Sequence, residues 1–162
     1  DRLLAGEYPG HWDNTTARQK INKILDTGIT VFIDLTGPAD RLKPYAPLLY
    51  EEAAARGVSV EHHRLFIPDM SIPASPQEMA TILDRIDDAL AAGQSVYFHC
   101  WGGVGRTGTV TGCYLVRHGL TGDEALQELA RMWQSVAKCN TFSMSPQTTE
   151  QRNYILRWRE LS

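Results

Sequence analysis

Between Ser95 and His118 the sequence changes character twice. Ser95-Val96-Tyr97-Phe98-His99 is a short β-branched and aromatic run of strand type. Cys100-Trp101-Gly102-Gly103-Val104-Gly105 then places glycine at 102, 103 and 105, and a helical pattern follows from Arg106 to about His118. A strand that passes through so tight a turn into a helix belongs to an α/β architecture. The glycines permit backbone angles that side chains forbid. Successive N–H groups in such a turn can point inward and form a concave anion site. The helix behind it adds unpaired N-terminal donors and the positive end of its dipole.

The rest of the chain supplies the elements to frame that unit. Leu3 to Ala5 is a short strand before the turn Tyr8-Pro9-Gly10. Residues 15–27 form a helix with Ile21, Ile24 and Leu25 on one face and Gly28 as its stop. Thr30 to Asp34 is a buried strand, Pro47 to Arg56 a helix ended by Gly57, and Val58 to Ile67 another strand. Ser75-Pro76-Gln77-Glu78 combines an N-cap, Pro in the first turn and a Glu positioned to cap. Behind it Met79, Ile82, Leu83, Ile86 and Leu90 form one apolar stripe. Thr121 to Glu124 starts a fifth helix, and Ser145-Pro146 is expected to start the last, with Gln151, Tyr154, Ile155 and Trp158 on one side. The order predicts a single α/β domain over residues 1–162, with a central, mostly parallel sheet of four to five strands flanked by helices on both faces. In such sheets sites form at the carboxyl ends of the strands, where Cys100 lies.

A thiol at the mouth of a positive cradle is acidified, from about 8.5 for free cysteine to between about 3.5 and 7.5. The expected product is a thiolate nucleophile. Arg106 closes the loop with a planar fork that holds two oxygens of a phosphoryl group, which Lys could not reproduce. The Thr107 hydroxyl can donate to the Cys100 sulfur and improve it as a leaving group. The amides of Trp101, Gly102, Gly103, Val104 and Gly105 complete the expected phosphate-binding set. Trp101 is expected to point its side chain away from the anion. His99 fixes the loop through hydrogen bonds. A nucleotide-binding P-loop is excluded, because no Gly-Lys-[Ser/Thr] follows the glycines.

His99-Cys100-x5-Arg106-Thr107 resembles the H-C-x5-R-[ST] signature of the cysteine-dependent protein tyrosine and dual-specificity phosphatases, in the Gly-x-Gly-Arg-Thr-Gly form of that branch. A chance match of its fixed residues is on the order of 10⁻⁶. The resemblance implies the tyrosine phosphatase-like fold and catalysis through a cysteinyl phosphate. It also implies a general acid on a loop about thirty residues before the cysteine, a role typically worth about 10²–10⁴-fold. Phe66-Ile67-Pro68-Asp69 fits that window and makes Asp69 the candidate, with Asp34 and Asp40 as fallbacks. Ile67 stands where the larger tyrosine phosphatases have Trp, so the loop is expected to move less or on another hinge. Gln147-Thr148-Thr149-Glu150-Gln151 resembles the glutamine loop of the tyrosine-specific branch, which implies Gln151 as the residue that positions the hydrolytic water.

Composition narrows the partners. The net charge of −3 disfavours nucleic acid and anionic membrane, and no apolar run reaches the length of a membrane span. Cys100, Cys113 and Cys139 have no CxxC spacing, so neither a disulfide framework nor a metal site is expected, and free thiols suit the cytoplasm. No cofactor is expected, and a monomer is. Trp101 to Gly105 contain no basic residue, whereas inositide phosphatases place basic residues inside this loop. The reading is therefore a phosphorylated protein or peptide substrate, phosphotyrosine first and phosphoserine/threonine second. Tyr45 and the 36–42 loop are guessed to line the entrance. The alternatives are an inositide or inositol phosphate phosphatase, and a phosphopeptide-binding pseudophosphatase. The joint presence of Cys100, Arg106 and Asp69 speaks against the latter.

Overall fold

The computed structural model describes residues 2–160. Its strands are β1 (Leu3–Gly6), β2 (Val31–Asp34), β3 (Glu61–Arg64) and β4 (Val96–His99). Helices α1 (Asn14–Leu25), α2 (Ala46–Ala55) and α3 (Pro76–Ala91) join them, and α4 (Arg106–Arg117), α5 (Gly122–Trp133) and α6 (Thr149–Arg157) follow. The sheet has the order β1-β4-β2-β3, and every neighbouring pair is parallel. It holds four strands, within the expected four to five.

Side-chain alternation explains why the middle strands are apolar throughout. Val31, Ile33, Val96 and Phe98 face a core that includes Met79, Ile82 and Ile86 of α3, Val110 of α4, Leu129 of α5 and Ile155 of α6. Phe32 and Tyr97 point the other way, against Ile21 and Leu25 of α1 and Leu49 of α2. A strand covered on both faces has no position left for water, so it reads as a continuous hydrophobic run. Each large aliphatic side chain removed from water contributes about 1.5–3 kcal/mol before the cost of ordering it.

Local signals set most boundaries. Asp13 Oδ2 accepts from the Thr16 N–H at 2.7 Å and starts α1, which ends before Gly28 at φ 87°. Thr121 and Glu124 form a reciprocal capping box at the head of α5. Two expectations are corrected. The strand expected over Val58–Ile67 pairs only from Glu61 to Arg64, because β2, its one neighbour in the sheet, is itself four residues long. The last helix does not begin at Ser145-Pro146. That pair is a cis peptide in a loop, the Ser145 hydroxyl is spent on the carbonyl of Val104, and Thr148 caps α6 instead.

The parallel register brings Gly6, His99, Asp34 and Arg64 to one edge of the sheet. The segments that leave this edge carry Glu7 and Tyr8 after β1, Asp40 after β2, Asp69 after β3 and Cys100 after β4. Four separate stretches of sequence therefore meet at one place.

Candidate active site

Cys100 leaves β4 at the floor of a cavity of about 480 Å³ and is 3% exposed. Its Sγ accepts from the Gly103 N–H at 3.3 Å. Thr107 Oγ1 lies 3.1 Å from the sulfur and 3.3 Å from the carbonyl of Gly6, so its one proton is shared between them. Gly103 adopts φ 75°, and a Cβ there would stand 2.9 Å from the backbone of Gly6. Only glycine fits that close approach of the loop to the end of β1.

The carbonyls of the loop are held outward one by one. That of Cys100 accepts from His99 Nδ1 at 3.0 Å, and that of Trp101 from the Tyr8 N–H at 2.9 Å. That of Gly102 accepts from Lys138 Nζ at 2.8 Å, and that of Val104 from Ser145 Oγ at 2.6 Å. That of Gly105 accepts from the Thr109 amide and hydroxyl inside α4. With these oxygens engaged elsewhere, the Gly103 amide turns to the Cys100 sulfur, the start of the inward amide array that an anion requires.

Because a carbonyl only accepts, His99 Nδ1 carries the proton and Nε2 accepts from the Tyr45 hydroxyl at 2.6 Å. Complete burial pushes the His99 pKa down to about 4, against the smaller opposing pull of Asp34. The ring is neutral at physiological pH. Tyr45, expected at the entrance, is instead 1% exposed and acts as a buried support for His99. Asp34, a fallback acid, is also buried; burial pushes its pKa up, but hydrogen bonds from His62 and Thr36 outweigh this and bring it to about 2.

Arg106 is 2% exposed, and most of its N–H groups have partners. Its Nη1 donates to Asp40 Oδ2 at 3.0 Å and to the carbonyl of Ile67 at 3.2 Å. Its Nη2 donates to Asp40 Oδ1 at 2.7 Å and pairs with Asp69 Oδ1 at 3.2 Å. The end-on edge of the guanidinium is thus fixed by Asp40. The edge formed by Nε and Nη2 is the one Asp40 leaves open, with Asp69 on Nη2 alone. Burial pushes the Asp40 carboxyl up, but the Arg106 hydrogen bonds, the Gly37 amide and the guanidinium charge outweigh it and hold its pKa below the ordinary carboxylate range. An acid so placed stays ionised and turned toward Arg106, which suits a holder of the clamp.

Asp69 is the carboxylate at the open side, 53% exposed and in the cavity wall. Its loop is pinned at both flanks: the Ile67 carbonyl accepts from Arg106, and the Ser71 carbonyl accepts from Gln151 Nε2 at 3.0 Å. Gln151 is fully buried, and its Oε1 accepts from the amides of Gln147 and Thr148 at the head of α6. Its side chain ties the Asp69 loop to that helix, and it packs behind Gly105 rather than in the cavity wall. Gln147 lines the cavity in its place. The structure therefore brings Cys100, Arg106, Thr107, Asp69 and the glycine loop together, with His99 beneath. Trp101, at the rim, is 57% exposed.

Sequence reading missed Lys138, Ser145, Gln147 and Asp40 as a holder of Arg106. Lys138 and Asp40 lie in no recognisable local pattern, while Ser145 and Gln147 lie in patterns that pointed to other roles, a helix start and a glutamine loop; tertiary contacts alone bring the four to the site.

The family described as Tc-R-P: Polymorphic toxin system, DSP-PTPase phosphatase, matches residues 8–120. The dual specificity protein phosphatase CDC14B of Mus musculus is 39% identical over 72 residues, which span 43% of this chain and 14% of that protein. The chain therefore corresponds to a small part of that relative. The crystal structure of Tk-PTP in the active form superposes with a TM-score of 0.67 at 26% identity, covering 97% of this chain and 90% of that one. Kinase associated phosphatase (KAP) shares the fold, with a TM-score of 0.70 at 20% identity over 94% of this chain and 82% of that one.

Proposed function

Because this chain belongs to the DSP-PTPase phosphatase family of polymorphic toxin systems, we propose that it hydrolyses protein phosphomonoesters through a phosphocysteine on Cys100, with phosphotyrosine as the best substrate and phosphoserine/threonine as a weaker one. The observation that carries this reading is the joint placement of Cys100 Sγ under the Gly103 amide and the Thr107 hydroxyl, beside an arginine with one edge left for oxygens.

The dianion docks in the turn with its equatorial oxygens on the loop amides and on Nε and Nη2 of Arg106, displacing Asp69 from Nη2. The Cys100 thiolate attacks phosphorus in line, the S–P bond forms, and the ester P–O bond breaks. Asp69, protonated, gives its proton to the departing oxygen. Arg106 and the loop amides stabilise the charge spread over the three equatorial oxygens. In the second half-reaction Asp69, now a carboxylate, takes a proton from water held by Gln147. That water attacks phosphorus, and orthophosphate leaves as the thiolate is restored. Thr107 donates to the sulfur and favours its departure.

The depth of Cys100 supports an aryl ester, since a phenyl phosphate reaches a recessed nucleophile that a seryl phosphate does not. Three free thiols, one of them the nucleophile, suit a reducing compartment such as the cytoplasm. Among the described residues no helix is long and apolar enough to cross a membrane.

The test is phosphate release from p-nitrophenyl phosphate and from a phosphotyrosine peptide by the wild type and by Cys100→Ser. Turnover is expected to vanish in the variant while orthophosphate still binds. A wild type that binds phosphate and releases none from either substrate would make this chain a binding module.

A further inference from the structure

The loop Trp101–Gly105 carries no basic side chain, yet the wall of the cavity above it does. Lys20 comes from α1, Lys43 from the segment between β2 and α2, and Lys138 from the turn after α5, and all three line the same cavity as Cys100. These are anchored side chains. Lys20 Nζ donates to the carbonyl of Tyr8 at 2.7 Å, Lys138 Nζ to that of Gly102 at 2.8 Å, and Lys43 Nζ to that of Trp12 at 3.0 Å and to Asn14 Oδ1 at 2.6 Å. Much of the entropy that a flexible lysine loses on binding is therefore already spent.

The charge balance at this wall is unequal. Lys20 and Lys138 share one carboxylate, Glu7, at 3.2 and 2.6 Å, whereas among the described residues Lys43 has no acidic partner. Burial pushes the Glu7 carboxyl up, but the hydrogen bonds and charges of Lys138 and Lys20 outweigh it and keep it below its ordinary pKa, so the group is ionised. The cavity lining carries four cations, Lys20, Lys43, Lys138 and Arg106, against two carboxylates, Glu7 and Asp69, an excess of two positive charges in a chain whose net charge is −3. Inside the cradle, by contrast, Arg106 already faces two carboxylates. The surplus lies at the rim, where it reaches the surroundings of the phosphate rather than the phosphate itself.

The same rim is apolar and aromatic. Trp12 is 73% exposed and Trp101 57%, and Met70 and Phe142 join them around the opening. Large exposed aromatics gathered at a cavity mouth mark a contact surface. A small, wholly hydrophilic polyanion would leave them uncovered. A peptide covers them and brings carboxylates to the lysines.

We propose that this rim is a specificity subsite that selects phosphotyrosine peptides with acidic residues next to the phosphorylated one, with Lys43 as its uncompensated cation. The inference rests on the reading of Cys100 as a phosphotyrosine-directed nucleophile.

The experiment compares kcat/KM for two phosphotyrosine peptides that differ only in having Asp/Glu or Asn/Gln at the flanking positions. Exposed ion pairs are each worth up to about fivefold, so the acidic peptide is expected to lead by about tenfold at low salt. That lead should shrink toward unity near ~1 M salt, where the screening length is about 3 Å. Lys43→Met should reduce the acidic-to-neutral ratio about threefold, and Lys43→Arg should keep it. Equal rates on the two peptides at low salt, or a ratio unmoved by Lys43→Met, would overturn the subsite. Faster turnover of an inositol bisphosphate than of the acidic peptide would overturn the peptide as its occupant. Failure of the underlying reading looks different: neither peptide nor p-nitrophenyl phosphate is then turned over.

Discussion

Replacing Asp40 by Asn separates two roles that a carboxylate in this site can have. The wild-type carboxylate accepts one hydrogen bond from each Nη of Arg106, at 3.0 and 2.7 Å, from a side chain only 2% exposed. The amide that replaces it has a single acceptor oxygen. One of the two bonds survives, while the other becomes an N–H facing an N–H, and the guanidinium rotates away from it. A hydrogen bond to a charged group is worth about 1.5–3 kcal/mol, which at about 1.36 kcal/mol per decade is a loss of roughly 10- to 150-fold in kcat/KM. The loss should be the same for aryl phosphates with good and with poor leaving groups, because the clamp acts on the equatorial oxygens and not on the departing one. The inhibition constant for orthophosphate should rise along with it. The assay is steady-state release of substituted phenols over a series of leaving-group pKa values. Wild-type kcat/KM in Asp40→Asn would refute the role of holder. A loss that grows with leaving-group pKa would make Asp40 the acid in place of Asp69.

Asp69→Asn should show the opposite signature, slowing esters of poor leaving groups by about 10²–10⁴-fold and activated ones far less; a flat response across the same series would remove Asp69 from proton transfer. Gln147→Ala should let phosphoenzyme accumulate, seen as a burst of phenol or as acid-stable labelled protein, whereas Gln151→Ala should lower the unfolding temperature through loss of the α6 cap and the Ser71 tie. Reversal of those two phenotypes would restore Gln151 as the water-positioning residue. Stability should fall as pH drops from about 6.5 toward 4, because the unfolded chain protonates a histidine of ordinary pKa near 6.5 while folded His99, at about 4, does not. Below that window Asp34, held near 2, continues the loss as it protonates. Urea midpoints across pH 4–7 check this, and a midpoint that rises as pH falls through that window would contradict the buried neutral imidazole.

What could be read in advance divides along a physical line. Residues whose role is set by near neighbours in the chain were legible: the glycines that let Cys100 and Arg106 share one turn, the Ser75 cap on α3, the β-branched and aromatic runs of β2 and β4. The register of the sheet was not, and with it went everything that depends on which strand ends meet. Asp40 follows an unremarkable Gly-Pro-Ala, and nothing local separates a carboxylate that holds Arg106 from one that caps a turn. Tyr45 was a guess for the entrance; packing against Tyr8, Phe32 and His99 buries it. Ser145-Pro146 had the composition of a helix start, but a tertiary bond from Ser145 Oγ to the phosphate loop took the hydroxyl that a cap would use. Absence of basic residues within Trp101–Gly105 spoke against an inositide, but it could not announce Lys20, Lys43 and Lys138, which reach the same cavity from three distant segments.

The arginine is where these strands of argument join. Five N–H groups in a rigid plane cannot serve both an end-on carboxylate and a side-on phosphoryl group unless the two occupy different edges. Asp40 takes the end-on edge, the Ile67 carbonyl takes the remaining N–H of Nη1, and Asp69 touches only Nη2, at 3.2 Å and more than half exposed. Phosphate can therefore displace Asp69 without disturbing Asp40. The displaced carboxylate is already within the cavity that the leaving oxygen must occupy. Docking would then free the acid: the anion takes the place of Asp69 on Nη2, and the released carboxylate, once it has taken a proton from water, stands where the leaving oxygen needs one. An enzyme with the two aspartates exchanged would lose this coupling, since a buried bidentate partner breaks only at a cost of several kcal/mol, and the exposed one would leave the clamp unaligned between turnovers.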